Sequence, residues 1–442
     1  MEGATFRMSA GQTSQPPWPH GLLVAGWTAG GVAMLLMTPL LAPILLALST
    51  ILPPFLYRLR VGRLPPGPLS VITIVLSAAG IYLAINSTWS LGPASAFMTV
   101  GVLFLIIAAL HVTLNALHSS NTDELRAMSW GFYAGVVFCG VVLCIEAFSQ
   151  QWMHRLLTTH LPIARPAPRH MHIQNGVVDY LPPYLLNRCI LGLTLLFWPM
   201  VLVCLRLGET PARRALLLAG LVPVVAAIFR SSHGTSKIAF LGAALLFALF
   251  WYWPRLARGT AAIYWLVATL LFAPIASIAY AKEMHLSRWL PQSGQHRIVI
   301  WGYTAEQIPN APLFGVGINT TRAMGETTDY DRLEPVPGTG FKRSTNLHAH
   351  SGYLQTWYEA GAVGVAFLLT LGLFVLRSLD RAPEAVQPFY YATFLACALG
   401  GASSFNLWQP WFMASFGFAA VFATLAGELA MRGAPGAAAA PA

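Results

Sequence analysis

The chain has 442 residues, of which 56% are hydrophobic and only 10% charged, with a formal net charge of +10. A typical soluble protein carries about 25% charged residues, so this composition excludes a soluble globular protein, a disordered chain and a fibrous repeat. It describes a polytopic membrane protein, and its 14 Trp and 14 Tyr suit two aromatic belts at the membrane interfaces.

Backbone groups cannot be left open in lipid, so apolar runs of about 20 residues are expected to be helices. Residues 1–20 read as a polar tail, lacking the basic stretch and cleavage site of a signal peptide. From Gly21 to Tyr57 there is no charge, and Pro39 and Pro43 divide the run into spans at 21–38 and 41–57. Ten more follow at 69–86, 96–117, 129–149, 184–206, 212–229, 236–253, 261–280, 353–376, 386–405 and 409–428. The expectation is an all-α integral membrane protein with about 12 transmembrane helices.

The positive-inside rule orients them. With both ends in the cytoplasm, the inner loops carry Arg58, Arg60 and Arg63, Arg126, Arg206, Arg213 and Arg214, Arg255 and Arg258, Arg377 and Arg381, and Arg432. The expected organisation is a cytoplasmic tail 1–20, nine spans over 21–280 with periplasmic segments 150–183 and 230–237, a large helical periplasmic loop 281–352, three spans over 353–428, and a cytoplasmic tail 429–442.

Three outer segments break the charge rule. Segment 150–183 holds Arg155, Arg165 and Arg169; 230–237 holds Arg230 and Lys237; 281–352 holds Lys282, Arg288, Arg297, Arg322, Arg332, Lys342 and Arg343. Long loops translocate despite positive charge, but the short one has less excuse. Salt bridges to Asp179, Glu283, Asp329 and Asp331 are one explanation. An outward-facing site for an anion such as phosphate is the other. The stretch 151–157 reads either as a connecting loop or as a short interfacial helix.

Within 281–352, Arg297 and Trp301 lie one helical turn apart and share a face. Pro312 and the pair Gly315/Gly317 mark a helix end and a tight turn. Further on, Asn346-Leu347-His348-Ala349-His350-Ser351 leads into the tenth span, with Gly361 and Gly364 below it. At about 100° per residue, a continuous helix would bring Gly361 to within roughly 20° of the face of His350 and Gly364 to within roughly 40°. Such a face either packs a neighbouring helix or leaves a groove for a lipid beneath the histidine. Glu359 lies about 180° away on the same wheel and is expected to pack or hydrogen-bond. Cys139, Cys144, Cys189, Cys204 and Cys397 all fall in apolar runs, which points to no disulfide framework and no metal.

His350-Ser351-x9-Gly361-x-x-Gly364 resembles the H-[NSQ]-x9-G-x-x-G motif of bacterial O-antigen ligases. The stretch Arg297…Trp301…Pro312-Leu313-Phe314-Gly315-Val316-Gly317 is similar to the preceding region in the wider O-antigen ligase/polymerase superfamily, so the likeness covers about residues 236–364. The resemblance implies a fold like that of type C glycosyltransferases and a periplasmic active site in the inner membrane. It implies transfer of O-antigen polysaccharide from undecaprenyl pyrophosphate to a sugar hydroxyl of lipid A–core, without metal, nucleotide or other cofactor, and with no nucleic-acid partner. Carried onto this chain, His350 is the general base and Arg297 the basic loop residue. The family often has Ser-Arg opening the span after the short outer loop. Ser236-Lys237 stands there, with Arg230 seven residues earlier, so Lys237, Arg230 or both take that role.

A histidine near neutral pKa suits a sugar hydroxyl's proton, and arginines suit the pyrophosphate leaving group. Arg230, Lys237 and Arg297 are therefore expected to converge beside His350. Asp329-Tyr330-Asp331 spells a D-x-D metal–nucleotide motif, but on the side where nucleotide sugars are absent. The His348-x-His350 and His170-x-His172 pairs lack further ligands for a metal site. The same donor also serves O-antigen polymerases and protein O-oligosaccharyltransferases, and a transporter or flippase is the alternative from another class.

Overall fold

A computed structural model describes residues 18–49, 55, 58, 62, 67–161, 171–345 and 347–432. The remainder, including most of both expected tails, Arg60, Arg63, Arg165, Arg169, His170 and Asn346, lies outside the described residues.

The helices are α1 (Trp18–Met37), α2 (Ala42–Ser49), α3 (Val71–Asn86), α4 (Pro93–Ser119), α5 (Thr122–Phe148), α6 (Trp152–His160), α7 (Asn187–Leu207), α8 (Pro211–Ala219), α9 (Val222–Arg230), α10 (Gly234–Tyr252) and α11 (Pro254–Ala281). They continue with α12 (Gln292–Gln307), α13 (Thr320–Thr327), α14 (Gly352–Gln355), α15 (Gly361–Asp380), α16 (Gln387–Ala402) and α17 (Pro410–Arg432). Caps explain several starts: Asn121 and Glu124 form a capping box at α5, and the side chains of Ser70 and Thr210 accept from the first turns of α3 and α8.

Among the described residues, nine helical segments are long and apolar enough to cross a membrane. The expected twelve differ from this set at two places. The first two spans form a bent pair that turns by 116° at Pro39, a broken span or a re-entrant loop, because proline cannot continue the ladder of α1. The expected second span beyond residue 49 lies almost wholly outside the described residues. The expected eleventh span is α16, with 16 residues. At 1.5 Å per residue that is about 24 Å, short of a hydrocarbon core of roughly 30 Å.

Helices α7 and α17 form the centre of the bundle, and exposed apolar side chains such as Leu22, Leu245 and Ile263 ring the outside. The five cysteines are free thiols within it. Segment 150–183 holds the short helix α6 and a hairpin, β1 (His172–Gln174) against β2 (Val177–Tyr180), paired His172↔Tyr180 and Gln174↔Val177. Its turn is Asn175-Gly176, both at positive φ as a two-residue hairpin turn requires. That dipeptide was the readable signal for the hairpin.

The expected tenth span is not one continuous helix. After α14, residues Thr356–Ala360 form a π-helical turn, and Gly361 takes φ +63° before α15 resumes. The break frees carbonyls that a helix would bond, and the loop 311–321 caps them. Val316 and Gly317 donate to the Tyr358 and Glu359 carbonyls at 3.1 and 2.9 Å, and the Tyr82 hydroxyl donates to the Ala360 carbonyl at 2.6 Å. Gly315 at φ +68° lies against the Glu359 carbonyl so closely that a Cβ would collide with it.

Glu359 itself is fully buried. It accepts from the backbone amides of Asn319 at 3.1 Å and Thr321 at 2.9 Å, from Gln355 at 3.2 Å and from the Trp408 indole. Substitution Glu359→Ala strands those donors, each at about 1–3 kcal/mol if left unpaired. We expect it to lower the thermal melting midpoint in detergent by far more than Glu326→Ala, on the exposed face of α13.

Candidate active site

One end of the bundle gathers the connections 87–92, 231–233, 282–351 and 403–409. Helix α12 is pinned there by Trp301, whose indole donates to the Ala349 carbonyl at 2.9 Å and whose ring meets Phe272 edge-on. One turn earlier, Arg297 points to the connection between α16 and α17. Its Nη1 donates to Ser403 Oγ at 2.9 Å and to Thr235 Oγ1 at 3.4 Å, while Thr235 Oγ1 also donates to the Ser403 carbonyl. The guanidinium is half-buried and has no carboxylate partner among the described residues. Burial alone pulls its pKa down.

The neighbouring residue of that connection holds His350. Its Nδ1 lies 3.0 Å from the Ser404 carbonyl oxygen. A carbonyl only accepts, so Nδ1 carries the proton and Nε2 keeps its lone pair. No described residue occupies Nε2. His350 sits at φ +53°, a sparsely populated conformation for a non-glycine residue. Its backbone amide donates to His348 Nδ1 at 3.1 Å, and the two rings lie 3.9 Å apart. Burial first, then the Arg297 and His296 charges, lower its pKa to about 4, outweighing the Ser404 carbonyl, which raises it. Burial likewise lowers His348, and His350 and Arg297 lower it further.

A residue the sequence reading passed over completes the group. His233 is buried between α9 and α10, with Nδ1 2.7 Å from Ser236 Oγ and Nε2 3.3 Å from Ser404 Oγ. Burial and the Arg297 charge lower its pKa to about 3, so it is neutral. Ser403 and Ser404 were equally missed, because the connection after α16 carries no charge and no motif. The only hint was three adjacent polar residues, Ser403, Ser404 and Asn406, around Phe405 in an otherwise apolar stretch.

The expected convergence of three cations is therefore corrected in part. Arg297 and His350 meet on adjacent residues, Ser403 and Ser404. Arg230 is exposed, with its guanidinium 5.6 Å over the Phe148 ring, and Lys237 is half-buried in the second turn of α10. Neither joins the hydrogen-bonded group. The helical-wheel argument below His350 also fails, because His350 precedes the helix and the π turn intervenes. Gly361 is buried against Leu313 and Gly315, and Gly364 against Ala360 and Thr356, so both serve internal packing and open no groove. Gly317, at φ +94°, lets the loop lie on Ser90, and the Ser351 hydroxyl caps α14 by accepting from the Leu354 amide at 3.4 Å. Glu359 is the hydrogen-bonding partner that the wheel suggested. Asp329 pairs with Arg332 on the exposed surface, and no group of three His, Cys, Asp or Glu that could hold a metal occurs among the described residues.

Residues 216–369 match the O-antigen ligase family, a range that includes α12, the His350 loop and the broken span. That range is about a third of the chain and is similar to an O-antigen ligase domain. Curated proteins named "Putative polysaccharide ligase" are similar to it. The one from Rickettsia conorii is 26% identical over 243 residues, 52% of this chain and 55% of the relative. That from Rickettsia prowazekii is 22% identical over 346 residues, 75% of each chain. That from Rickettsia bellii is 30% identical over 130 residues, 28% of this chain and 30% of the relative. The match to the first of these spans about half the relative's length. Within the matched range lie His233, Arg297 and His350, whereas Ser403 and Ser404 come from outside it.

The free imidazole is neutral down to about pH 4, and binding an anion beside Arg297 offsets the charge that helps hold it there. The sign follows: the acid limb of kcat/KM, which reports the free enzyme, should lie lower than the acid limb of kcat, which reports the anion-bound state. Arg297→Gln should move the kcat/KM limb upward. A pH–rate profile of the purified protein reads both.

Proposed function

We propose that the protein is an O-antigen ligase, transferring O-antigen polysaccharide from undecaprenyl pyrophosphate to a sugar hydroxyl of lipid A–core at the periplasmic face of the inner membrane. The observation that carries the reading is the juxtaposition of a half-buried guanidinium without an acidic partner and a neutral histidine with a free Nε2, both held by Ser403–Ser404.

In the proposed reaction, the acceptor hydroxyl oxygen attacks the anomeric carbon and His350 Nε2 takes its proton. The bond from the anomeric carbon to the pyrophosphate oxygen breaks, and its electron pair leaves with the lipid pyrophosphate. Direct displacement inverts the configuration at that carbon. Arg297 has its remaining N–H donors free to bind the leaving phosphate oxygens and stabilise the charge that develops there. Arg230 and Lys237, at the two ends of the short 231–233 connection, add positive charge at the rim of the site. Nothing in the proposed chemistry calls on a metal or cofactor. The positive-inside pattern supports a periplasmic position for this end of the bundle, since the opposite end carries Arg126, Arg213, Arg258 and Arg432.

His350→Ala should abolish ligation while the protein remains in the membrane, read as loss of all O-antigen bands with accumulation of lipid-linked polymer. A single-repeat band in a deletion strain would indicate a polymerase instead. Arg297→Ala should raise the barrier by about 2–4 kcal/mol, as for other groups that stabilise a developing anion. Arg297→Lys should recover only part, since it keeps the charge and loses the planar fork. Activity of the purified protein should survive EDTA; loss with rescue by magnesium or manganese would overturn the metal-free scheme.

A further inference from the structure

A second cation stands at this end of the bundle in the same condition as Arg297. Arg188, in the first turn of α7, is half-buried, and among the described residues it has neither a carboxylate partner nor a hydrogen bond. Its guanidinium instead lies over the Trp411 ring, 5.6 Å from the centroid. That shelf orients the planar fork and leaves its N–H edge unspent.

Two connections tie Arg188 to the site. Trp411 meets Phe405 at 4.8 Å, and Phe405 meets the His233 ring at 5.6 Å, so an aromatic row runs from Arg188 to the histidine beneath Ser404. On the other side, Asn187 Oδ1 accepts from the Ser232 hydroxyl at 3.0 Å, fastening the start of α7 to the connection that carries His233. Below Arg188 the kink at Pro39, α7 and α17 close around about 10 Å³ of free space, lined by Leu35, Pro39, Gly192, Leu196 and Phe418 with Ser415, so the guanidinium sits at the edge of tightly packed apolar helices. A lone cation in that position fits the anionic head of an amphiphile.

We propose that Arg188 is a second anion-binding residue of the site, taking a phosphate carried by a lipid-linked substrate. This deepens the ligase reading and rests on it. Two lipids in that reaction carry phosphate: the polyprenyl pyrophosphate donor and the lipid A acceptor.

The test is binding to the purified full chain in detergent, with farnesyl pyrophosphate as one probe and diphosphorylated lipid A, against its dephosphorylated form, as the other. Arg188→Met keeps the packed stem and removes the charge. It should lose about tenfold in affinity for one phosphorylated probe, the scale of one charge-assisted contact, and Arg188→Lys should lose less. The probe affected identifies which lipid Arg188 serves. A parallel measurement needs no variant: that same probe should protect Arg188 of the unmodified protein from phenylglyoxal, read by mass spectrometry. Unchanged affinity in a folded Arg188→Met, or full labelling of Arg188 with probe bound, overturns the proposal. If Arg297→Gln still weakens binding in that case, the ligase reading stands without Arg188. If the unmodified protein binds neither probe, the ligase reading falls and takes this proposal with it.

Discussion

The break in the span that begins at Gly352 is the constraint on which this end of the molecule depends. Inside an apolar bundle a carbonyl released from its helix must find another donor. The π turn at 356–360 and the reversal at Gly361 release several in succession. The loop 311–321 meets that demand with main-chain amides, and the buried Glu359 carboxylate answers the amides at the start of α13 in return. Each side supplies what the other lacks, so the long loop is stitched to the membrane helices by backbone chemistry. Gly315, Gly317 and Gly361 belong to this junction because a side chain at any of them would hold the strands of the stitch apart.

The candidate catalytic groups sit on a second junction, built from side chains. Arg297 comes from α12, His233 from the connection before α10 and His350 from the loop before α14. They share no secondary structure, and the pair Ser403–Ser404 reaches all three. Polar satisfaction is complete for the hydroxyls and incomplete for the Arg297 guanidinium. A guanidinium held half-buried without a carboxylate keeps its attraction for an incoming anion, whereas an internal ion pair would have cancelled it. The contrast is internal to the chain: Arg343, on the same loop, is paired with both Glu306 and Glu334.

Much of this was legible in the sequence where a residue type forces an outcome. Apolar runs of the right length became helices, Pro39 bent the first of them, and the one-turn spacing of Arg297 and Trp301 placed both on the inner face of α12. The family motif drew attention to His350. What could not be read depended on non-local pairing. A helical wheel assumes an unbroken helix, so Gly361 was assigned to the face of His350 when it actually turns the chain against Leu313. Charge out of place drew attention to Arg230, but an exposed arginine can rest on a ring such as Phe148. Ser403, Ser404 and His233 carry no spacing signal, since each acquires its part only when distant segments meet.

The acceptor that orients His350 is a main-chain carbonyl. A carboxylate in that position, as in many hydrolases, can be deleted by one nucleotide change and would shift its histidine's proton affinity with its own charge. The Ser404 carbonyl survives every substitution at residue 404 and adds no charge. Variation at that position can therefore move the imidazole in space, through the lost contact to His233, while leaving its tautomer alone. Sequence drift in this connection would tune the candidate site by distance, and its proton inventory would stay the same.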